Sequence, residues 1–190
     1  MTDSEDSYNE SAIIQRVLKG ERDEFRHLID RHKNMVFAML MRQVGNHSVA
    51  EDLAQETFCR AYQHLKKFRF ESSFSTWLTR IALNQAGTYF SSRKFKESKR
   101  TESFDVQTHD MGSSDIQHSQ ERKEIFAALR SALGELSPKL REVLVLCAFE
   151  GKSYEEAAEV LTVPVGTVRS RLNAARLEVK KLIPRSIFEA

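Results

Sequence analysis

Aromatic and basic side chains are concentrated in FRFESSFSTWLTRIALN, residues 68–84, and in the ten residues that follow. The residues concerned are Phe68, Arg69, Phe70, Phe74, Trp77, Arg80, Tyr89, Phe90, Arg93 and Lys94. Aromatic rings stack on unpaired bases while cations follow the phosphate backbone, so this composition suits single-stranded nucleic acid. The polar loop of residues 69–73 also suits an extruded base, which it would hold by its edge. The alternative is that the rings are core residues, which is expected for Phe74 and stays open for Trp77.

A second candidate site lies in SYEEAAEVLTVPVGTVRSRLNAARLEVKK, residues 153–181, which has the pattern of a helix-turn-helix. Ser153 and Glu156 have the spacing of a capping box that opens the first helix, and Pro164 precedes the second. The predicted inward stripe of the second helix is Val168, Leu172 and Ala175, and its other faces carry Thr167, Arg169, Ser170, Arg171, Asn173, Arg176 and Lys180.

Arg, Ser and Asn near the start of such a helix suit the reading of base edges in the major groove. Arg171, Arg176 and Lys180 suit phosphates, which supply affinity without sequence information. The alternative is a helical hairpin whose basic residues only face solvent. The Gly that often occupies such a turn is absent, because Leu161-Thr162-Val163 stand there, so the sequence leaves the turn geometry open.

Helical periodicity dominates the rest of the chain, and Pro and Gly are few, so we expect an all-α protein. Predicted helices cover about residues 11–19, 21–43, 76–90 and 138–151, with another that starts near residue 120. A capping box at Ser48–Glu51 is predicted to open one further helix after Gly45-Asn46. In that helix we expect a buried stripe of Ala54, Phe58, Ala61 and Leu65, with Asp52, Gln55, Glu56 and Cys59 on a polar face.

The composition divides the 190-residue chain into two helical domains and a linker. We expect an acidic tail and short helix over residues 1–20, a first domain over 21–92 and a second over 120–185. Residues 93–119 are rich in Ser and mixed charges and poor in apolar residues, which predicts a flexible linker. The net charge is only +2, but local basic patches bind nucleic acid without a basic total. With no membrane span or secretory signal, a cytoplasmic protein is expected.

Three motifs in order resemble regions 2 and 4 of bacterial sigma factors. They are AEDLAQETFCRAY (50–62), FSTWLTRIALN (74–84) and SYEEAAEVLTVPVGTVRSRLNAAR (153–176). The chain is most similar to the small extracytoplasmic-function group, of the sigma-E type, which keeps only these two domains. The resemblance implies a factor that binds core RNA polymerase, at the β′ clamp coiled coil and the β flap, and directs it to promoter DNA.

The resemblance also implies roles for individual residues. Asp52, Gln55 and Glu56 would dock against the clamp. The −10 element would be recognised and opened by Arg69, Phe70, Glu71, Ser72, Ser73, Trp77 and Asn84. The −35 element would be read as duplex by Thr167, Arg169, Ser170, Arg171, Asn173 and Arg176. At Phe70 the family often has Gly, so an altered loop shape is expected here.

Partners other than polymerase and promoter are implied as well. Members of the family are commonly held by an anti-sigma factor, often anchored in the inner membrane, whereas an active factor is associated with the nucleoid. No cofactor and no small-molecule substrate are implied. Two other classes fit the sequence less well: a dimeric repressor or activator, for which no sensory pocket or dimer coiled coil is visible, and an enzyme. The six His are scattered, and no metalloprotease, nucleotide-binding or nucleophile motif is present.

Overall fold

The computed structural model describes the backbone of residues 2–92 and 116–183, and within these it describes the side chains of residues 10–92, 125 and 127–183. An N-terminal unit, residues 2–92, contains α1 (Thr2–Leu18), α2 (Phe25–Val44), α3 (His47–His64) and α4 (Phe74–Ser91). A C-terminal unit, residues 116–183, contains α5 (Ile116–Glu135), α6 (Pro138–Leu144), α7 (Tyr154–Leu161) and α8 (Val165–Leu182). The predicted all-α fold with two helical domains is confirmed.

The described residues also contain short helical turns at Arg22–Glu24, Leu65–Lys67 and Val145–Phe149. Of the predicted linker, residues 93–115 lie outside the described residues. The rest, residues 116–119, is already helical, because α5 begins at Ile116. Helix α1 is longer than predicted, because it begins at Thr2 rather than near Ser11. Acidic side chains near the N-terminus of a helix favour its positive dipole end, and residues 3, 5 and 6 are acidic.

The start of α3 differs from the prediction. The capping box expected at Ser48–Glu51 is wrong, because Asn46 is the N-cap and its side chain accepts a hydrogen bond from the Val49 amide at 3.0 Å. Asn46 has the extended backbone that an N-cap requires, whereas Ser48 is already inside the first turn. The predicted stop at Gly45 is confirmed, since its φ of 70° closes α2 in the left-handed conformation.

The buried face of α3 follows the predicted stripe. Ala54, Phe58, Ala61 and Leu65 are all buried, and they pack with apolar residues of α2 and α4. Burial of apolar side chains supplies most of the stability of such a small unit. The stripe fixes the rotation of α3 about its axis, and this rotation directs the opposite face to solvent.

The second and third helices of the C-terminal unit begin where the sequence predicted, whereas α5 begins at Ile116 rather than near Gln120. Pro138 opens α6, and Ser153 and Glu156 form a complete capping box at the start of α7. We predicted an α-helix that reaches Gly151, but the α-helical part ends at Leu144. It is followed by one π-helical turn, in which the Glu150 amide donates to the Val145 carbonyl at 3.0 Å. Such turns insert one extra residue and reorient the side chains that follow.

The capping box gives a stability prediction. Replacing Ser153 by Ala removes the acceptor for the Glu156 amide, at 3.1 Å, and should lower the free energy of unfolding by about 1 kcal/mol. Ser137→Ala is the matched control, because Ser137 occupies an N-cap without a side-chain cap hydrogen bond, so its effect should be a few tenths of a kcal/mol. Urea denaturation followed by circular dichroism measures both variants. Equal effects would contradict the role of the box.

The same box should make stability depend on pH. The hydrogen bond from the Ser153 amide lowers the pKa of Glu156 despite the opposing effect of burial, and Lys152 adds to the lowering. A lowered folded pKa means that the contribution is present above the ordinary pKa of the carboxyl group and is lost as pH falls through the folded value.

Candidate polymerase and promoter interface

The polar face of α3 is exposed to solvent. Asp52, Gln55 and Glu56 lie within about one helical turn of each other, and all three are exposed. Glu56 accepts from Arg60 Nε at 2.6 Å, and this is a surface pair of the kind that contributes little to stability. Because none of the three supports the core, the face is available to a partner. Exposed acidic groups held on a rigid helix suit a basic protein surface.

The loop before α4 presents most of its side chains to solvent. Arg69, Phe70, Glu71 and Ser73 are exposed, and Ser72 is half-buried. Ser73 also has a structural role, since it is the N-cap of α4 and its hydroxyl accepts from the Thr76 amide at 3.1 Å. The loop is therefore anchored at its C-terminal end by the helix that follows.

Phe70 has a backbone conformation that is unusual for its residue type. Its φ is +58°, in the left-handed region, which an L-residue with a bulky side chain adopts at an energetic cost. The family's Gly at this position would adopt it freely. The ring is 44% exposed and lies 4.8 Å from the ring of Phe68, centroid to centroid. Phe70 therefore takes a backbone conformation suited to Gly and adds an exposed ring to the loop.

Trp77 lies at the boundary between core and surface. Its ring contacts Phe68 and Phe74, with centroids 5.3 and 5.7 Å apart, and both of these residues are buried. Trp77 itself is only half-buried. Asn84 lies two turns further along α4 and is exposed. Residues 69–73, Trp77 and Asn84 have exposed or half-buried side chains on the loop and on α4, and together they are called the loop–α4 strip.

Three members of the aromatic and basic group identified in the sequence do not belong to the loop–α4 strip. Arg80 donates to the carbonyl of Glu159 at 2.6 Å, on α7. Phe90 lies 5.1 Å below the guanidinium of Arg141, and Tyr89 packs on Phe90. The composition grouped these residues with the strip because they are close in sequence. Arg80 and Phe90 instead contact the C-terminal unit.

Helix α8 has the predicted inward stripe. Val168, Leu172 and Ala175 are buried. The outer positions Arg169, Ser170, Asn173 and Arg176 are exposed, and Thr167 and Arg171 are half-buried. The guanidinium of Arg169 lies 6.0 Å from the ring of Tyr154 on α7, so it is held near the N-terminal part of α8.

Arg171 differs from the other outer residues of α8 because it has an acidic neighbour. Burial raises the pKa of Glu142 on α6, and the positive charge of Arg171 opposes that rise. Arg171 is also half-buried, so it is less free than its exposed neighbours to contact DNA. Among the outer residues, Arg169, Ser170 and Asn173 are the exposed group at the N-terminal half of α8 and are best placed to enter a groove.

The turn between α7 and α8 has a geometry normally found with Gly. Thr162 has φ 55° and ψ 48°, and the Val163 amide donates to the Ala158 carbonyl at 3.1 Å, as in a Schellman ending. For a β-branched residue this conformation is an outlier. The turn of the helix-turn-helix therefore forms without Gly, and Thr162 carries local backbone strain.

In the part of the chain that the structure describes, no three His, Cys, Asp or Glu side chains converge as metal ligands. None of the described helices is long and apolar enough to cross a bilayer.

Comparison with known proteins shows the family of this chain. The family model for Sigma-70 region 2 matches residues 28–96, and that for Sigma-70, region 4 matches residues 126–179. The chain is 33% identical over 180 residues to the ECF RNA polymerase sigma-E factor of Haemophilus influenzae, covering 92% of this chain and 95% of the relative. It is 34% identical over 188 residues to the RNA polymerase sigma-H factor of Pseudomonas aeruginosa, covering 94% and 95%.

Solved structures agree with this placement. The sigma factor RpoE of Bartonella quintana, in complex with the anti-sigma factor NepR, matches with a TM-score of 0.64 at 27% identity, over 84% of this chain and 96% of that one. CnrH, in complex with the cytosolic domain of CnrY, matches with a TM-score of 0.63 at 28% identity, over 90% and 94%. The chain belongs to the extracytoplasmic-function sigma factors, which are transcription initiation factors.

Proposed function

We propose that three surfaces of this chain divide the work of promoter-specific initiation. The α3 face, Asp52, Gln55 and Glu56, binds core RNA polymerase. The loop–α4 strip recognises and opens the −10 element, and the outer residues of α8 read the −35 element as duplex. The functional domains are residues 21–92 and 120–185, and residues 93–119 connect them.

The observation that carries this proposal is the exposure of the three surfaces opposite three buried stripes, in a chain whose two units both match the family. Most of the proposed contact residues are exposed on the side of their element that faces away from the core. Ser73 and Trp77 also support the fold, as the N-cap of α4 and by packing on Phe68 and Phe74. Because the exposed contacts are not needed for folding, they are free to evolve for recognition.

Strand opening in this scheme requires no hydrolysis. Unstacking costs a few kcal/mol per base step, and stacking of a captured base on an aromatic side chain returns about 1–3 kcal/mol. Phe70 and Trp77 are the rings placed to do this. The connection between the units makes binding of the second promoter element effectively intramolecular, so neither contact has to be strong by itself.

An anti-sigma factor is the proposed regulator. The Bartonella relative was solved with one, and this chain is similar to that relative over most of its length. The exposed α3 face is a suitable target, because a protein that covers it would block polymerase. We place the active factor in the cytoplasm, at the nucleoid, and the inhibited one with its anti-sigma factor at the inner membrane.

The function is tested by transcription from fragmented genomic DNA with purified core polymerase, with and without this protein, followed by mapping of the RNA 5′ ends. The expected result is a small set of start sites that appear only with the protein and share two upstream boxes. An unchanged set of start sites, with a correctly folded protein, would overturn the proposal.

Phe70 gives a prediction about strand opening. Phe70→Gly removes the exposed ring while relieving the left-handed strain, so the free energy of unfolding should change by less than about 1 kcal/mol. Open-complex formation should fall about 5- to 150-fold if the ring stacks on a base, which corresponds to about 1–3 kcal/mol. Permanganate reactivity of unpaired thymines measures opening. Phe70→Tyr is the control and should open like the wild type; opening by Phe70→Gly at the wild-type level would exclude the stacking role.

A further inference from the structure

A cavity between α2 and α5 combines apolar walls with polar atoms that lack partners. Its volume is about 320 Å³, which is at the lower end of the range for sites that bind small organic ligands. The apolar side chains of its lining belong to Met41, Leu129, Leu133 and Phe149. The polar side chains of its lining belong to Arg42, Gln43, Arg130 and Arg141.

The side-chain amide of Gln43 is buried and has no partner. Gln43 is 1% exposed, and neither its amide nitrogen nor its amide oxygen forms a hydrogen bond within the described part of the chain. A buried amide without partners destabilises a fold, and buried polar groups are normally hydrogen-bonded. Because this amide lines a cavity, a polar group of a bound molecule is the partner that fits there.

Arg141 places a positive charge beside the same amide. Its side chain is 5% exposed, and its guanidinium donates to the backbone carbonyl of Gln43. It also donates to the carbonyls of Gly134 and Leu136, at 2.8 and 2.9 Å. Its Nε atom has no partner. The guanidinium therefore has neutral acceptors on its outer nitrogens and an unused donor at Nε.

The charge of Arg141 is not bonded to a carboxylate in the described residues. Burial lowers the pKa of Arg141, and Glu142 and Glu135 oppose this lowering, but its hydrogen bonds all go to backbone carbonyls. The ring of Phe90, 5.1 Å from the guanidinium, supplies a cation–π contact. Buried charges in proteins are normally paired with an opposite charge, so an anion in the cavity would complete the environment of this guanidinium.

The electrostatics of the cavity favour an anion. Among the described residues that line it there are three arginines and no acidic residue. Glu150 balances the charge of Arg42 at 2.9 Å, whereas Arg130 is half-buried and adds positive potential. Charges beside apolar walls act through a low dielectric and are screened less than charges at the surface. A negatively charged group is therefore preferred here to a neutral one of the same shape.

We propose that this cavity is a binding site for a small organic acid with an apolar body. Its carboxylate accepts hydrogen bonds from Gln43 Nε2 and Arg141 Nε, the donors of the cavity that lack partners, because a carboxylate has two oxygens that only accept. A water that enters with the carboxylate donates to Gln43 Oε1. The apolar body lies against Met41, Leu129 and Leu133, where its burial contributes to affinity.

Two kinds of compound carry this chemistry, namely medium-chain fatty acids and aromatic carboxylic acids. Both combine one carboxylate with an apolar body, and the test distinguishes them. The proposal does not depend on the proposed function, because no residue that lines the cavity belongs to the α3 face, to the loop–α4 strip or to the outer face of α8.

The test is a titration of the isotope-labelled, full-length chain with octanoate and with phenylacetate, followed by calorimetry and by NMR of the side-chain amides. We expect saturable binding of at least one acid, with one molecule per chain, and a shift of the Gln43 side-chain N–H signals. Tighter binding of octanoate identifies an aliphatic acid as the ligand, and tighter binding of phenylacetate identifies an aromatic one. If neither acid shifts the Gln43 signals, the cavity holds only water and the proposal is overturned.

A matched ligand tests the requirement for charge. Octanamide and phenylacetamide have nearly the shapes of the two acids but carry no charge. The amide of the tighter acid should bind about tenfold more weakly or worse, because hydrogen bonds to an ionised acceptor are the stronger ones. Equal dissociation constants for the acid and its amide would contradict the assignment of an acid.

Gln43→Leu tests the contact with the carboxylate. It replaces an unpartnered buried amide by an apolar side chain of similar size and keeps the backbone carbonyl that Arg141 binds, so the melting temperature should stay the same or rise. The dissociation constant of the acid, measured by calorimetry, should rise about tenfold or more.

Gln85→Leu is the matched control for this variant. Gln85 on α4 is 6% exposed and its amide nitrogen also lacks a partner, but it does not line the cavity. Its substitution should leave the affinity for the acid unchanged. An equal loss of affinity in the two variants would place the binding site elsewhere and overturn the proposal.

These measurements need neither polymerase nor DNA, so their outcome is separate from that of the proposed function. Absence of binding overturns the ligand site and leaves promoter recognition untouched. Failure of core polymerase to yield promoter-selective transcripts overturns the function and leaves the ligand site in place.

Discussion

Replacing Asp52 and Glu56 together by Ala should weaken binding to core RNA polymerase by about 10- to 100-fold or more, the usual effect of removing two central contacts of an interface. Both carboxylates are exposed on α3, and within the part of the chain that the structure describes the bond lost is the surface pair of Glu56 with Arg60. Such i,i+4 pairs contribute about 0.3–0.5 kcal/mol, so the fold should be nearly unaffected. Anisotropy of the dye-labelled protein, titrated with core polymerase, measures the affinity.

The control for this variant removes the same charge elsewhere. Asp30 and Glu178 are exposed acidic residues outside the α3 face, and Asp30→Ala with Glu178→Ala should bind polymerase like the wild type. Binding of duplex −35 DNA by the Asp52/Glu56 variant should also stay unchanged. If both double variants lose affinity equally, the effect is one of net charge and the α3 face is not the docking surface.

Replacing Arg169 by Ala should abolish discrimination at one position of the −35 element, at a cost of about 1–3 kcal/mol for the preferred sequence. Arg169 is exposed at the N-terminal half of α8, and the Tyr154 ring 6.0 Å away restricts its position. A bidentate contact to a base edge explains an effect of this size. The measurement is competition binding against a library of −35 duplexes.

Lys180 is the comparison residue on the same helix. It is exposed and lies about three turns further along α8, where it suits a phosphate. Lys180→Ala should weaken all sequences equally and reduce the salt dependence by about one ion. If Arg169→Ala behaves in the same way as Lys180→Ala, then Arg169 contacts phosphate and carries no sequence information.

Periodicity in the sequence predicted the parts of this structure that depend on local spacing. The stripes of α3 and α8 were predicted because a helix buries one face in any fold of this kind. The capping box at Ser153 was predicted because its partner is only three residues away. The same rule failed at Ser48 because Asn46, two residues earlier, competes for the N-cap, and spacing alone does not decide between two capping residues.

Long-range contacts could not be predicted in this way. From the sequence, Arg80 was predicted to contact nucleic acid because it lies among aromatic residues. In the structure it donates hydrogen bonds to the carbonyls of Glu159 and Val160, about eighty residues later in the chain. Arg141 lies on a short helix between Leu140 and Glu142, and nothing local marks it as a buried guanidinium. Thr162 and Phe70 show a related limit, because surrounding structure imposes a left-handed backbone that residue type alone argues against.

The central claim is that two separate surfaces of one chain act on one promoter while bound to one polymerase. Inserting about five base pairs between the two upstream boxes of a mapped promoter rotates one box by half a helical turn relative to the other. The claim predicts loss of run-off transcription from that template, although each box keeps its sequence, and partial recovery with a full-turn insertion of about ten base pairs. Full transcription from the half-turn template would contradict it.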